Sequence, residues 1–143
     1  MNTSWAAVQK PDLPEAWDLA QPFIERALRE GMNEFSLKEI VLMLERQDAQ
    51  LWLIGNDDTY DVIGACVTQI QIGDGTKLLN IFLCAGEHFD LWEHHIEAVE
   101  EWGHSQGCDY VRIHGRRGWK KKLSHRGYKE KYVVLAKPLF RSH

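Results

Sequence analysis

The chain has 143 residues, of which 44% are hydrophobic and 27% charged, enough to bury a core without disulfides or metals. This composition excludes a disordered or low-complexity chain, and no apolar stretch is long enough to span a membrane. The first residues, MNTSWAAVQKPDLP, lack the basic and apolar regions of a secretory signal. We therefore expect a single domain over residues 1–143, located in the cytoplasm and without a membrane partner.

Charge is unevenly distributed along the chain. The net charge is −4, but residues 112–131 hold nine Lys or Arg and one acid, Glu130, so this segment carries +8 and the remainder −12. Such a segment can attract an acidic partner surface, phosphate or nucleic acid, and it can equally be the solvated face of an acidic body. Trp119 and Tyr128 are interleaved with the cations, as stacking platforms for single strands would be, although aromatic residues at this spacing are more often part of a core.

Cysteine and histidine spacing argues against a metal site. Cys66, Cys84 and Cys108 are far apart and form no C-x-x-C pair, which favours buried thiols. The seven histidines include no i, i+4 pair and no H-E-x-x-H, and His95 shares an apolar helical stripe, so we expect it to be a partnered core residue. The sequence also has no nucleophile elbow, P-loop or G-x-G-x-x-G.

The first 30 residues predict a strand and a helix. Residues 5–9 read as a short strand, and a helix follows near Pro14, because proline is tolerated in the first helical turn. Apolar residues then recur at helical spacing up to Leu28, with Gly31 as the stop. Pro22 interrupts this pattern and predicts a kink or a break into two short helices.

A second helix begins at Ser36. Ser36 and Glu39 form an S-x-x-E capping box, and the residues that follow make one apolar stripe.

Three strands are predicted next, over residues 51–54, 62–72 and 77–84. A tight turn at Asp74-Gly75 would place Val67 opposite Phe82 and Cys66 opposite Leu83. On that register Cys66 and Cys84 point to opposite faces of the sheet, which excludes a disulfide between them. Both faces of the hairpin are apolar away from the turn, which indicates a sheet covered on both sides.

The last third of the chain predicts two helices and two strands. A helix runs over residues 90–106, with Asp90 and Glu93 as a second capping pair. A strand over residues 110–114 follows, then a short helix over 119–125 that ends at Gly127. The final predicted strand covers residues 132–137.

The order of elements, and above all the C-terminal run GRRGWKKKLSHRGYKEKYVVLAKPL, resembles the GNAT superfamily of N-acetyltransferases. In that family a G-[FY] pair after the last helix leads into a final strand, and here the pair is Gly127-Tyr128. The GRRGW segment at residues 115–119 is similar to small GNAT-type proteins of tailed bacteriophages. The resemblance covers nearly the whole chain as element order and is specific over about its last thirty residues. It implies an α/β (α+β) fold with a central mixed, mostly antiparallel sheet and helices on both faces.

The resemblance also implies a cofactor, acetyl-CoA, bound where the fourth and fifth strands separate. Backbone amides of Cys84, Ala85 and Gly86 would hold the pantetheine arm, and Arg116 and Arg117 the phosphates. In the family the diphosphate lies on an R/Q-x-x-G-x-G/A loop, where helical N–H groups attract anions. Here that loop reads AGEHFD, with one glycine, two acids and no Lys or Arg, and so departs from the family pattern.

Two residues are candidates for acid–base chemistry. Tyr128 matches the family's acid position, and His114, at a strand end, could serve as the base. The alternatives are an aromatic core residue for Tyr128 and a half-exposed strand-end residue for His114. The predicted central strands contain no carboxylate.

The resemblance therefore implies an N-acetyltransferase that moves an acetyl group from acetyl-CoA to a small or protein amine. The alternative hypothesis is a non-catalytic protein of the same fold, a phage accessory or virion component. Such a protein would bind an acidic partner or nucleic acid through the basic segment at residues 112–131, in the host cytoplasm or the virion.

Overall fold

Three apolar strands in the middle of the chain form the centre of a five-stranded sheet. The computed structural model describes residues 2–30, 35–88, 90, 93–113, 117–131 and 135–139. Its strands are β1 (Thr3–Ala7), β2 (Gln50–Asn56), β3 (Val62–Gly73), β4 (Thr76–Gly86) and β5 (Tyr110–Ile113). Its α-helices are α1 (Leu13–Glu30), α2 (Leu37–Glu45), α3 (Ile96–Ser105) and α4 (Arg117–Leu123).

The sheet has the order β1-β2-β3-β4-β5 and is antiparallel except between β4 and β5, which run parallel. The crossover between these two strands contains α3, because a parallel connection needs a long return path. This arrangement confirms the predicted mixed, mostly antiparallel sheet.

Helices cover both faces of the sheet, as predicted. On one face α1 buries Ala20 and Ile24 against Ala65 and Val67 of β3. Cys66 lies between those two strand residues and packs on the other face with Ile96 and Val99 of α3. Side chains alternate along a strand, so the two clusters lie on opposite sides of the same sheet. Burying a side chain such as that of Ile24, which is 1% exposed, contributes about 1.5–3 kcal/mol.

Of the two predictions for Pro22, a kink or a break into two short helices, the break is wrong, because α1 is one helix of 18 residues that continues through the proline. The reason is tertiary. The buried residues Ala16 and Ala20 precede Pro22 and Ile24 and Leu28 follow it, so both halves of the helix pack into the same core cluster. Pro22 itself is exposed, where a lost helical hydrogen bond can be replaced by water. The predicted stop at Gly31 lies outside the described residues.

The start of α2 confirms the predicted capping box. The Glu39 amide donates to Ser36 Oγ at 3.1 Å, and the Ser36 amide donates to Glu39 Oε1 at 3.4 Å. Strand β1 begins two residues earlier than predicted, and Val8, just beyond its end, still donates its amide to the Leu51 carbonyl.

The predicted hairpin register is correct near the turn and wrong further away. Gly73 pairs with Thr76 around Asp74-Gly75, with Gly75 at a φ of 75°, and the predicted offset is kept as far as Thr68 and Ile81. Beyond that point the register shifts by one residue. The pair is therefore Val67 with Leu83, and Cys66 lies directly opposite Cys84.

The prediction that Cys66 and Cys84 point to opposite faces is consequently wrong. Directly opposed residues share a face, and both thiols are free in this structure.

The predicted helix over residues 90–106 is confirmed in part. Asp90 is helical, residues 91–92 lie outside the described residues, and a 3₁₀ turn over Glu93–His95 precedes α3, which begins at Ile96. The carboxylate of Glu93, predicted to form a capping pair with Asp90, contacts His125 and Arg126.

The predicted final strand is not formed in the part of it that the structure describes. Residues 135–137 form no strand, and Leu135 is 90% exposed, so it lacks the burial and pairing that stabilise a strand. Residues 132–134 lie outside the described residues. The short helix is formed as expected, and it ends through a 3₁₀ turn at Gly127, whose φ of 90° suits glycine.

Candidate active site

The described pairing of the parallel strands β4 and β5 covers only part of β4. It runs from Leu78 with Tyr110 to Ile81 with Ile113, and residues 114–116 lie outside the described residues. β4 continues to Gly86, so residues 82–86 have no β5 partner in the described part of the chain.

A β-bulge at Phe82 directly follows the last described pair of β4 and β5. Val67 pairs with Leu83 and Thr68 with Ile81, so Phe82 is an extra residue on β4 without a partner on β3. A bulge bends its strand and increases the local twist. The aromatic ring of Phe82 packs against that of Phe35, with the ring centroids 5.3 Å apart.

The predicted cofactor residues Cys84, Ala85 and Gly86 all lie on β4, beyond its described pairing with β5. Their backbone groups point alternately to the β3-side edge and to the β5-side edge of the strand. The Glu87 amide donates to the Ile63 carbonyl at 2.8 Å, which identifies a hydrogen-bonded pair of the β3–β4 ladder. Because such pairs alternate with non-hydrogen-bonded ones, Ala85 bonds to β3. Cys84 and Gly86 therefore direct their amide and carbonyl groups away from β3, toward the β5-side edge of β4.

The turn after β4 does not offer the Glu87 amide to an anion, because that amide donates to the Ile63 carbonyl. His88, the next residue, has a φ of 58°, in the left-handed region. The following 3₁₀ turn contains Glu93, whose side chain is only 16% exposed.

Glu93 is part of a cluster that joins this turn to the segment after α4. Arg126 Nε donates to Glu93 Oε2 at 3.3 Å and Arg126 Nη1 to Glu97 Oε1 at 3.1 Å. His125 Nε2 lies 3.2 Å from Glu93 Oε1. These contacts hold the C-terminal end of α4 against the beginning of α3.

Tyr128, the predicted acid, lies in the same region. It packs in the α3-side cluster, and its hydroxyl donates to Glu100 Oε2 at 2.6 Å. Burial, and secondly the Glu100 carboxylate, raise the pKa of the Tyr128 phenol well above its ordinary range. The hydroxyl therefore keeps its proton at neutral pH.

Helix α4 carries the basic segment across the α3 side. Leu123, which is 2% exposed, and the half-buried Trp119 anchor it in the core, while Lys121 and Lys122 are exposed. Arg117 begins this helix. His114 and Arg116, the other predicted site residues, lie outside the described residues.

The structure thus brings Cys84 and Tyr128 into one hydrophobic cluster on the α3 side of the sheet. It adds three residues that sequence reasoning missed: Phe82, Glu100 and Arg126. An all-apolar strand has no alternation that could reveal a bulge at Phe82. Glu100 and Arg126 are surface-type residues in charged runs, and nothing in their spacing singles them out.

The described part of the chain contains no group of three His, Cys, Asp or Glu residues arranged to hold a metal ion. His95 has a partner in Thr3, whose Oγ1 lies 3.0 Å from its Nε2. No helix within the described ranges combines the length and apolarity needed to cross a bilayer.

Solved structures share this architecture. An aminoglycoside acetyltransferase from an uncultured soil metagenomic sample matches with a TM-score of 0.67 at 14% identity, over 96% of this chain and 97% of that one. An acetyltransferase from Trypanosoma brucei matches at 0.66 and 16%, over 96% and 100%. Glucosamine-6-phosphate N-acetyltransferase from Arabidopsis thaliana matches at 0.65 and 15%, over 98% and 100%.

No protein-family model matches the sequence, and no curated protein matches it. The structural matches show that the chain has the fold of GNAT acetyltransferases. This confirms the predicted fold class.

Proposed function

We propose that the protein is an N-acetyltransferase that transfers the acetyl group of acetyl-CoA to an amine, on a small molecule or a protein. The observation that supports this proposal is the bulge at Phe82, which follows the last described pair of β4 and β5, Ile81 with Ile113, in a fold shared with solved acetyltransferases. Beyond the bulge, Cys84 and Gly86 direct backbone hydrogen-bonding groups toward the β5-side edge of β4, and such groups need a partner.

The β5-side edge of β4 fits the pantetheine arm of the cofactor. That arm is a narrow chain with two amides, and Cys84 and Gly86 direct both donors and acceptors toward this edge. A strand that binds an extended ligand along its edge forms the same main-chain hydrogen bonds that it would form with an added strand. When bound, acetyl-CoA supplies the activated acetyl group as a thioester.

The diphosphate would have to be held differently from the family pattern. The AGEHFD turn offers no free amide at Glu87, and Glu93 lies in the turn before α3. Arg116 and Arg117 would supply the positive charge for the phosphates. Arg126 offsets the Glu93 carboxylate and so lowers the repulsion that a phosphate would meet there.

Tyr128 is the candidate proton donor of the proposed reaction. Its hydroxyl holds a proton at neutral pH and donates it to Glu100 at 2.6 Å, so it would have to exchange this bond for one to the sulfur in order to act. Bound acetyl-CoA would supply the thioester; Tyr128 would then protonate the thiolate that leaves, and His114 would accept the proton that the attacking amine loses.

The non-catalytic alternative is not favoured, since the neighbours described above are themselves named as acetyltransferases. We propose in addition a cytoplasmic location and a relationship to small phage proteins of the same fold.

Isothermal titration of the purified protein with acetyl-CoA at low salt tests the proposal, with ATP as a control for phosphate binding alone. We expect micromolar binding that is selective for acetyl-CoA, followed by release of free CoA thiol when an amine panel is added. No heat at millimolar acetyl-CoA would overturn the proposal.

A further inference from the structure

A polar side-chain network crosses β3, β4 and β5 beside the candidate site. Arg112 Nε donates to Asn80 Oδ1 at 3.2 Å, and Arg112 Nη2 donates to Gln71 Oε1 at 2.6 Å. Asn80 is only 3% exposed and Arg112 is half-buried. A nearly buried amide therefore fixes the orientation of a charged group that solvent still reaches.

This network lies on the face of the sheet opposite α3. Val111 and Ile113 pack in the α3-side cluster, so Arg112, between them on β5, points to the other face. Tyr110 shares that face by the same alternation, and Lys131 Nζ lies 4.5 Å from its ring centroid. The face is therefore polar and cationic along β5, while the opposite face is apolar.

Arg112 retains a set of unused donors. Its two hydrogen bonds occupy the Nε–Nη2 edge of the guanidinium. The Nη1–Nη2 end keeps two parallel N–H groups, and Arg112 contacts no carboxylate in the described part of the chain. Parallel N–H pairs of this kind match the two oxygens of a carboxylate or phosphate. Both of its partners are neutral amides, so the network leaves its positive charge uncompensated.

We propose that Arg112 binds an anionic group, a carboxylate or phosphate, on the same molecule as the acceptor amine. This inference rests on the proposed acetyltransferase function and specifies its substrate class. Arg112 immediately precedes Ile113, the last described residue of β5 that pairs with β4, and its partner Asn80 precedes the bulge residue Phe82 by two residues. A small acceptor whose anion lies at Arg112 would therefore extend toward the bulge at the end of the described β4–β5 pairing.

Matched acceptor pairs test the proposal. Lysine is compared with cadaverine, which lacks the carboxylate, and glucosamine-6-phosphate with glucosamine, which lacks the phosphate. The kcat/KM ratio of the anionic to the neutral member is measured for wild type, Arg112→Gln and the control Arg46→Gln, an exposed residue after α2. We expect wild type and the control to prefer an anionic acceptor by about tenfold or more, and Arg112→Gln to lose that preference.

A purely structural role for Arg112 predicts a different result. It would lower the melting temperature and reduce the rate on both members of a pair equally, leaving the ratio unchanged. That outcome, or equal wild-type rates on both members, would overturn the inference and leave the proposed function intact. The pair that shows the preference identifies the anion as carboxylate or phosphate.

A binding measurement separates the inference from the proposed function. The Arg112 Nε–H signal is followed by ¹⁵N NMR while inorganic phosphate or acetate is added to the protein alone. A saturable shift, absent from other arginine signals, supports the anion site even if no amine is acetylated, and in that case the acetyltransferase function fails. If the Arg112 signal does not shift and neither acceptor pair shows a preference for the anionic member, the anion site is refuted.

Discussion

The hydroxyl of Tyr128 donates a 2.6 Å hydrogen bond to the Glu100 carboxylate. The two residues are 28 positions apart, so the bond ties the segment that follows α4 to the middle of α3. It also determines which protonation state of Tyr128 the fold stabilises, since burial and a nearby carboxylate both disfavour a phenolate.

This bond predicts how stability changes at alkaline pH. The pKa of Tyr128 is raised in the folded protein, so above pH about 10 the unfolded chain loses a proton that the folded chain keeps. The stabilisation is complete below that pH and falls above it, by at most about 1.4 kcal/mol per pH unit. Tyr128→Phe should remove this slope, as measured by urea unfolding at a series of pH values.

Tyr60→Phe is the matched control for that experiment, because Tyr60 is 91% exposed. It should leave the alkaline slope unchanged. Identical slopes in wild type and Tyr128→Phe would mean that the phenol does not titrate differently on folding. At neutral pH Tyr128→Phe should lose about 1 kcal/mol, since Glu100 loses a donor. If Tyr128 is the proton donor, kcat falls while acetyl-CoA binding persists.

The register of β3 and β4 predicts that Cys66 and Cys84 can be joined. Counting from the bonded pair of Ile63 and Glu87, these cysteines form a non-hydrogen-bonded pair, in which the Cα atoms lie about 4.5 Å apart. That distance is within the range of disulfides. Treatment with diamide, which takes up the two thiol hydrogens, should link Cys66 to Cys84, as shown by peptide mass mapping without reduction.

Reaction should be slow, because burial and the adjacent Cys84 thiol raise the pKa of Cys66. Cys84→Ser is the control, and it should leave Cys66 and Cys108 as separate thiols under the same treatment. A link that involves Cys108 would contradict the register.

The two halves of the β3–β4 hairpin show how far the sequence could predict this fold. The Asp74-Gly75 turn determines the pairing near it, since turn residues carry a local conformational signal. The bulge at Phe82 was not predictable, because one extra residue in a continuous apolar run changes no pattern. The consequence was the wrong relation between Cys66 and Cys84.

The other elements show the same difference: local interactions were predictable from the sequence, and effects of tertiary packing were not. The Ser36 capping box is a local interaction and was predicted with its partner. Continuation of α1 through Pro22 depends on packing against the sheet, which no local propensity contains. The candidate site combines segments that are far apart in the sequence. The resemblance suggested where the site lies, but only the structure shows that Glu100 and Arg126 contact the other residues of this region.

Gly64 should be intolerant of any side chain. A Cβ there would lie 2.8 Å from the Ala85 carbonyl oxygen, 2.9 Å from Ile54 Cδ1 and 3.0 Å from Gly86 Cα. Two of these atoms belong to the backbone of the candidate cofactor strand and cannot yield without moving it. Gly64→Ala should therefore destabilise the protein by about 1–3 kcal/mol in chemical denaturation and weaken acetyl-CoA binding.

Gly73→Ala provides the matched control on the same strand. Its Cβ would meet only the Thr76 carbonyl oxygen, at 3.9 Å, so stability should change little. Equal stability of the two variants would show that β3 and β4 can move apart at Gly64 without loss of structure.

Reversing two charges at the start of α4 tests where the cofactor phosphates lie. The double variant Arg116→Glu, Arg117→Glu should weaken acetyl-CoA binding by about tenfold or more at low salt, because two attractive charges become repulsive. The difference from wild type should shrink as salt is added, since exposed charges are screened. Titration calorimetry at two salt concentrations measures both effects.

The control for that variant is Lys38→Glu, Arg46→Glu, which makes the same change in net charge with exposed residues of and just after α2. We expect both double variants to melt close to wild type. If the control weakens binding as much as the α4 variant, the effect is one of overall charge, and the phosphates are held elsewhere. If only the α4 variant loses affinity, the basic segment is part of the cofactor site, and its cations compensate for a turn after β4 that lacks them.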